Sequence, residues 1–281
     1  MTHIYAIANQ KGGVGKTTTC VNLAASLAAT KKRVLLVDLD PQGNATMGSG
    51  IQKDEIETSI YDVLTERSSV MQAVVESETG KYQVLPANGD LTAAEIEMLS
   101  MSNKEHRLQK ALQSVRHNFD YILIDCPPSL SMLTVNAFVA CDSVIIAMQC
   151  EYYALEGLSA LMNTISQIQR LLNPQLKIEG LLRTMYDPRN SLTNDVSAQL
   201  SQHFGDRLYR TCIPRNVRLA EAPSFGMPVI AFDRQSKGAL AYLALAGEII
   251  RRNEAGTFAH SDIPAASDLY TPVADSSEEH I

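Results

Sequence analysis

The chain has 281 residues, 45% of them hydrophobic, and a net charge of −7. That length suits one large α/β domain or two small ones with a full core. No apolar run reaches the ~18–20 residues needed to cross a bilayer, and the opening "MTHIYAIANQ" lacks the basic-then-apolar layout of a secretory signal. Five scattered cysteines without a C-x-x-C pair read as reduced core thiols of a cytoplasmic protein.

Taken in chain order, short β-branched runs alternate with helix-length ones. "HIYAIA" (3–8) predicts a buried strand, "KTTTCVNLAASLAAT" (16–30) a helix, "KRVLLVDLD" (32–40) a second strand and "KYQVLPA" (81–87) a weaker one. "DYILIDCPP" (120–128) and "DSVIIAMQ" (142–149) predict two more strands. "LEGLSALMNTISQIQRLL" (155–172) predicts a long helix ending near Asn173-Pro174. "KIEGLLRTMY" (177–186) and "RLYRTCIP" (207–214) predict strands, and "KGALAYLALAGEIIRRN" (237–253) a closing helix. Such alternation implies an α/β fold, a mostly parallel twisted sheet with helices on both faces. The last 29 residues, 253–281, hold six acids and no Lys or Arg, without periodicity. They predict an acidic, disordered tail on a domain spanning 1–252. Without that tail the charge is −1, and between Gly180 and Arg252 ten basic residues face six acidic ones, so a basic region can sit on an acidic protein.

"NQKGGVGKTTT" (9–19) nearly matches the phosphate-binding pattern G-x-x-x-x-G-K-[ST]. Gly15, Lys16 and Thr17 supply its second half, but Gln10 stands where the first glycine belongs, followed by an additional lysine, Lys11. The loop follows a predicted strand and opens a predicted helix, where backbone N–H groups and the helix dipole favour an anion. Gly12, Gly13 and Gly15 let the backbone wrap phosphates. Lys16 is expected to reach the terminal phosphates, and the Thr17 hydroxyl to bind Mg²⁺. A second acidic group for the metal is Asp125, at the carboxyl end of an apolar strand. Asp38 and Asp40, in "VLLVDLDPQGNAT" (34–46), end another strand. They suit the orienting of water or of the metal's shell, with the division of labour between them open.

K-G-G-V-G-K-T-T, D-x-D-P-Q-G-N, Y-I-L-I-D-C-P-P and I-P-R-N-V-R-L-A-E-A-P-S-F-G (213–226) together resemble the ParA/Soj family, DNA-partitioning members of the deviant Walker A ATPases with the P-loop NTPase-like fold. The similarity runs from about residue 3 to about residue 252, in the compact form without an N-terminal helix-turn-helix domain. The resemblance implies ATP and Mg²⁺ as ligands and a homodimer when ATP is bound. Non-specific double-stranded DNA of the nucleoid and a ParB-type centromere-binding protein are the implied partners, with no membrane. In this family Lys11 is the signature lysine that crosses to the partner's ATP, which makes Lys11 and Asp40 the catalytic pair. Asp40 positions the attacking water. The loop from Gly12 and Gly13 through Val14 and Gly15, with Lys16, Thr17 and Thr18, cradles the nucleotide, and Pro214 and Asn216 lie near the adenine. Thr17 and Asp125 hold the metal, Asp125 through its water shell. Arg189, Arg215 and Arg218 fall where the family contacts DNA. The competing reading is a switch similar to MinD, a membrane-associated cell-division positioning ATPase. The acidic, unpatterned ending "ADSSEEHI" counts against its basic amphipathic membrane helix. Cys126 and Cys150 lack the glycine-flanked setting of an iron–sulfur reductase, and nothing marks the acceptor pocket of a metabolic kinase.

Overall fold

The computed structural model describes residues 2–151 and 154–256. Seven strands form one sheet: β1 (His3–Ala8), β2 (Val34–Asp38), β3 (Val75–Ser77), β4 (Tyr82–Leu85), β5 (Tyr121–Asp125), β6 (Ser143–Gln149) and β7 (Lys177–Thr184). Their order is β3-β4-β2-β5-β1-β6-β7. Every pairing is parallel except the β3–β4 edge. The expected strand at 3–8 is present as expected, and those at 32–40, 81–87, 120–128, 142–149 and 177–186 are present with trimmed ends; β3, mostly exposed and three residues long, carries too little pattern to be read from sequence.

Alternation along the strands divides the core into two layers. On β1, Ile4, Ala6 and Ala8 face one way and Tyr5 and Ile7 the other; on β5, Ile122 and Ile124 oppose Tyr121 and Leu123. This is the period-two geometry of a sheet covered on both sides. One layer is closed by helices Lys16–Ala29 and Lys237–Ala255 through Cys20, Leu23, Leu27, Tyr242, Leu245 and Ile249. The other is closed by helix Ala154–Leu171 through Leu158, Leu161, Ile165 and Ile168, and by the shorter helices Leu91–Leu99, Arg107–Gln113 and Met132–Ala140.

The segment 207–214 is not a strand. It runs beside β7 and makes only two isolated bridges, Leu181 with Leu208 and Tyr186 with Pro214. Between them the Arg210 and Thr211 amides donate to the Glu248 carboxylate, at 2.9 and 3.0 Å, rather than to β7. A buried acid on the closing helix thus captures the donors that a continuous ladder needs. The closing helix continues to Ala255, past the expected domain limit at 252, and is capped by Gly256 in the left-handed region. Residues 257–281 of the expected tail lie outside the described residues. Among the described residues no helix is long and apolar enough to cross a membrane.

Candidate functional site

Four strand ends converge at the carboxyl edge of the sheet. β1 leads into the loop 9–15, β2 ends in Asp38, β5 in Asp125 and β7 in Thr184. The helix Lys16–Ala29 starts at Gly15, whose φ of 86° is left-handed, with no side-chain cap. Its first amide groups therefore need an outside acceptor, which suits an anion. Gly13 also takes a positive φ of 73°, whereas Gly12 does not. Val14 is buried, and its carbonyl accepts the Thr184 hydroxyl at 2.7 Å. Thr17 and Thr18, half-buried, follow in the first turn.

The two lysines differ in setting. Lys16 is buried, 7% exposed, and its Nζ folds back onto the Lys11 carbonyl at 3.2 Å. Lys11 projects outward and pairs with Glu151 at 2.5 Å, both side chains 48% exposed. Its backbone amide is fixed by Asn9 Oδ1 at 3.0 Å, and Asn9 is anchored through Ala147 O at 2.7 Å.

Asp38 and Asp125 are fully buried partners in the β2–β5 register. Asp38 is engaged: Oδ2 accepts the Thr46 amide at 2.8 Å and hydroxyl at 2.7 Å, and Oδ1 the Asp40 amide at 3.2 Å. Burial nevertheless pushes its carboxyl up to about 6, against the pull of those bonds. Asp125 rises further, to about 8, first through burial and then through the Asp38 charge, with the Thr17 hydroxyl acting the other way. Its Oδ1 has only a long contact with the Cys20 thiol at 3.4 Å, and Oδ2 has no hydrogen bond of ordinary geometry. A buried carboxylate oxygen in that condition is costly unless something cationic completes it. The residues present therefore fit a hard divalent cation held near Thr17 and Asp125. Asp40 is half-buried, and its Oδ1 accepts the Gln42 amide at 3.0 Å.

Beyond β7 the chain enters the left-handed region at Met185, φ 48°. Tyr186 then bonds Ile213 O at 2.9 Å and bridges Pro214. This brings the predicted base-binding pair, Pro214 and Asn216, to the end of the strand that holds the phosphate loop. Asn216 Oδ1 is buried without a hydrogen-bond partner. The predicted DNA arginines are exposed, and two of them, Arg189 and Arg218, are paired locally. Arg189 makes a two-pronged contact with Asp187 at 2.9 and 2.7 Å, and Arg215 adds a second positive charge beside the same carboxylate. The Arg189 bonds hold Asp187 down at about 2. Arg218 pairs with Glu221 at 2.8 Å and Asp233 at 3.3 Å.

Three side chains that organise this site went unread in the sequence: Thr46, which secures Asp38; Glu151, which holds Lys11; and Thr184, which fastens Val14. Only Thr46 lay in a segment already marked by its motif.

Comparison with known proteins gives the family. A protein-family model, AAA domain, matches residues 2–178. The sporulation initiation inhibitor protein Soj of Bacillus subtilis is 53% identical over 249 residues, covering 89% of this chain and 98% of its own. The chromosome partitioning protein ParA of Caulobacter vibrioides is 51% identical over 251 residues, covering 89% and 94%. Among solved structures, cobyrinic acid a,c-diamide synthase from Mycobacterium smegmatis, with bound ATP analog and magnesium, superposes with a TM-score of 0.81 at 37% identity, covering 91% of this chain and 97% of that one. On the strength of these matches along nearly its whole described length, the chain belongs to the ParA/Soj family of chromosome-partitioning ATPases.

Proposed function

We propose that the protein is an ATP-gated partition switch. Two copies pair face to face with ATP between them, and the pair binds double-stranded DNA of the nucleoid without sequence preference. Hydrolysis, stimulated by a ParB-type partner, separates them and releases the DNA. The observation that carries this reading is the divergence of the two loop lysines: Lys16 is buried against its own loop, while Lys11, five residues earlier, stands out on the surface. A lysine serving only its own phosphates has no need to face outward. One that crosses to a partner's nucleotide does, and it offsets the charge of two opposed phosphate groups.

In this reading the Gly12–Thr18 backbone and Lys16 bind the phosphates, Pro214 and Asn216 receive the adenine, and Thr17 and Asp125 hold Mg²⁺. When bound, the metal offsets charge on the phosphate oxygens. Asp40 orients the water that attacks the terminal phosphorus as the bond to the bridging oxygen breaks, leaving ADP and phosphate. Arg189, Arg215 and Arg218 contact DNA phosphates, which carry no sequence information. Because the same fold serves a diamide synthase at 37% identity, the assignment rests on the site rather than on the fold.

The test is DNA binding with ATP, with ADP and without nucleotide. Binding of unrelated duplexes only with ATP supports the switch; an ATP-bound form that ignores DNA overturns it.

A further inference from the structure

The hydrogen bond between Thr184 and Val14 joins two segments 170 positions apart, and both residues are almost completely buried, 2% and 1% exposed. A trans peptide unit is planar, with its carbonyl and its N–H pointing in opposite directions. The chain has no cis peptide bond among the described residues. The Val14 carbonyl turned toward Thr184 therefore obliges the next amide, Gly15 N–H, to turn away from β7. The next side chain, Lys16, spans the same loop, its Nζ reaching the Lys11 carbonyl at 3.2 Å. A Cβ added at Gly15 would stand 3.7 Å from the Thr184 side chain, so Thr184 flanks the loop at Gly15 as well as at Val14.

We propose that Thr184 is the positioning residue of the phosphate loop: its hydroxyl locks the Val14–Gly15 peptide so that the Gly15 N–H is presented to the phosphates. The proposal rests on the nucleotide assignment above and deepens it. The same strand end then fixes the other end of the ligand. Two residues on, Tyr186 bonds Ile213 and bridges Pro214, two residues before Asn216. One short stretch, 184–186, thus sets the distance between the phosphate loop and the base loop. Without the hydroxyl, the Val14 carbonyl loses its buried partner, and the peptide is free to rotate toward water. Binding must then restore the orientation first, and the apparent affinity falls by the fraction of loops still correctly turned.

The experiment compares wild type, Thr184→Val and Thr184→Ser in the full chain. It measures the affinity for AMPPNP with magnesium and for pyrophosphate, together with the unfolding midpoint without ligand. Thr184→Val is expected to bind both ligands about tenfold more weakly, and Thr184→Ser, which keeps the hydroxyl, within about twofold of wild type. Wild-type affinity in Thr184→Val overturns the proposal, as does equal weakening in Thr184→Ser, which assigns the effect to the methyl group. If Thr184→Val does not fold, the Gly15 amide resonance of the wild type decides. A large shift and slowed exchange on adding AMPPNP support the proposal, and an unmoved resonance overturns it. None of these readouts involves DNA, so failure of the partition reading is separately visible as a wild-type ATP form without DNA affinity.

Discussion

Asp38 and Asp125 stand side by side on neighbouring parallel strands, both without solvent contact, and the charge of Asp38 adds to burial in raising the affinity of Asp125 for a proton. Folding takes Asp125 from an ordinary 3.8 to about 8. Between those values the native state holds a proton that the unfolded chain has released. Stability from this group is therefore full below about pH 4 and is lost as the pH rises through 8. We predict that, in the absence of magnesium and nucleotide, the unfolding midpoint of wild type falls relative to Asp125→Asn between pH 5 and 8, with the two converging at the acid end. Parallel curves would remove Asp125 as the source. Magnesium with nucleotide should bind more tightly at pH 8 than at pH 6, with proton release on binding measurable by calorimetry in two buffers.

The two aspartates of "DLDPQ" should fail differently. Asp38 accepts three hydrogen bonds that fold the 40–46 loop. Asp38→Ala strands those buried donors and should cost about 2–4 kcal/mol, at roughly 1 kcal/mol each. Asp40→Ala should melt like wild type and bind ATP, yet stop turnover. Denaturant melts and phosphate release decide this, and an Asp40→Ala protein that hydrolyses ATP normally would contradict its role.

Glu151 holds Lys11 on its own subunit. Breaking this pair before dimerisation costs little, ~0.2–1 kcal/mol for an exposed ion pair, but two pairs are broken per dimer. Glu151→Gln is expected to lower the ATP-analogue concentration needed for dimer by a few fold. Lys11→Ala should retain nucleotide binding and lose the dimer, whereas Lys16→Ala should lose nucleotide binding itself. Sizing chromatography with a slowly hydrolysed analogue separates the three.

Of the arginines proposed to contact DNA, Arg189 and Arg218 are paired locally, and this gives a gain-of-function test. Arg218→Glu should abolish DNA binding while sparing the ATP-dependent dimer. Glu221→Gln, which frees one partner of Arg218, should strengthen it by a few fold. In wild type the logarithm of affinity should fall with log salt at about −0.9 per phosphate neutralised. If Glu221→Gln weakens binding, the arginine is not used as assigned.

The strands carrying Asp38 and Asp125 were legible because each is an unbroken apolar run ending in an acid, which only a two-sided sheet accommodates. The loop was legible because glycine, lysine and threonine at that spacing answer a single chemical demand. The helix Met132–Ala140 was not, since "MLTVNAFVA" is apolar on every side and gives no periodic face. Segment 207–214 misled because its β-like composition is genuine, and what stops the ladder is Glu248, some 40 residues later in sequence. Glu151 and Thr184 are ordinary residues in ordinary runs. Their importance lies in whom they meet, which the one-dimensional pattern does not record.

The strand order also governs when the protein becomes capable of binding anything during synthesis. β1 emerges first, yet its two hydrogen-bonding neighbours, β5 and β6, lie more than a hundred residues further along the chain. The loop that follows β1 thus leaves the ribosome long before the strand bearing Asp125, and longer still before Thr184 can fasten Val14. Loop closure over such distances is slow. A nascent chain stalled near residue 120 exposes a glycine-rich loop without Asp125 beside it and without the Thr184 lock behind it. Nucleotide is therefore a ligand of the finished sheet, arriving after the last parallel strand has docked.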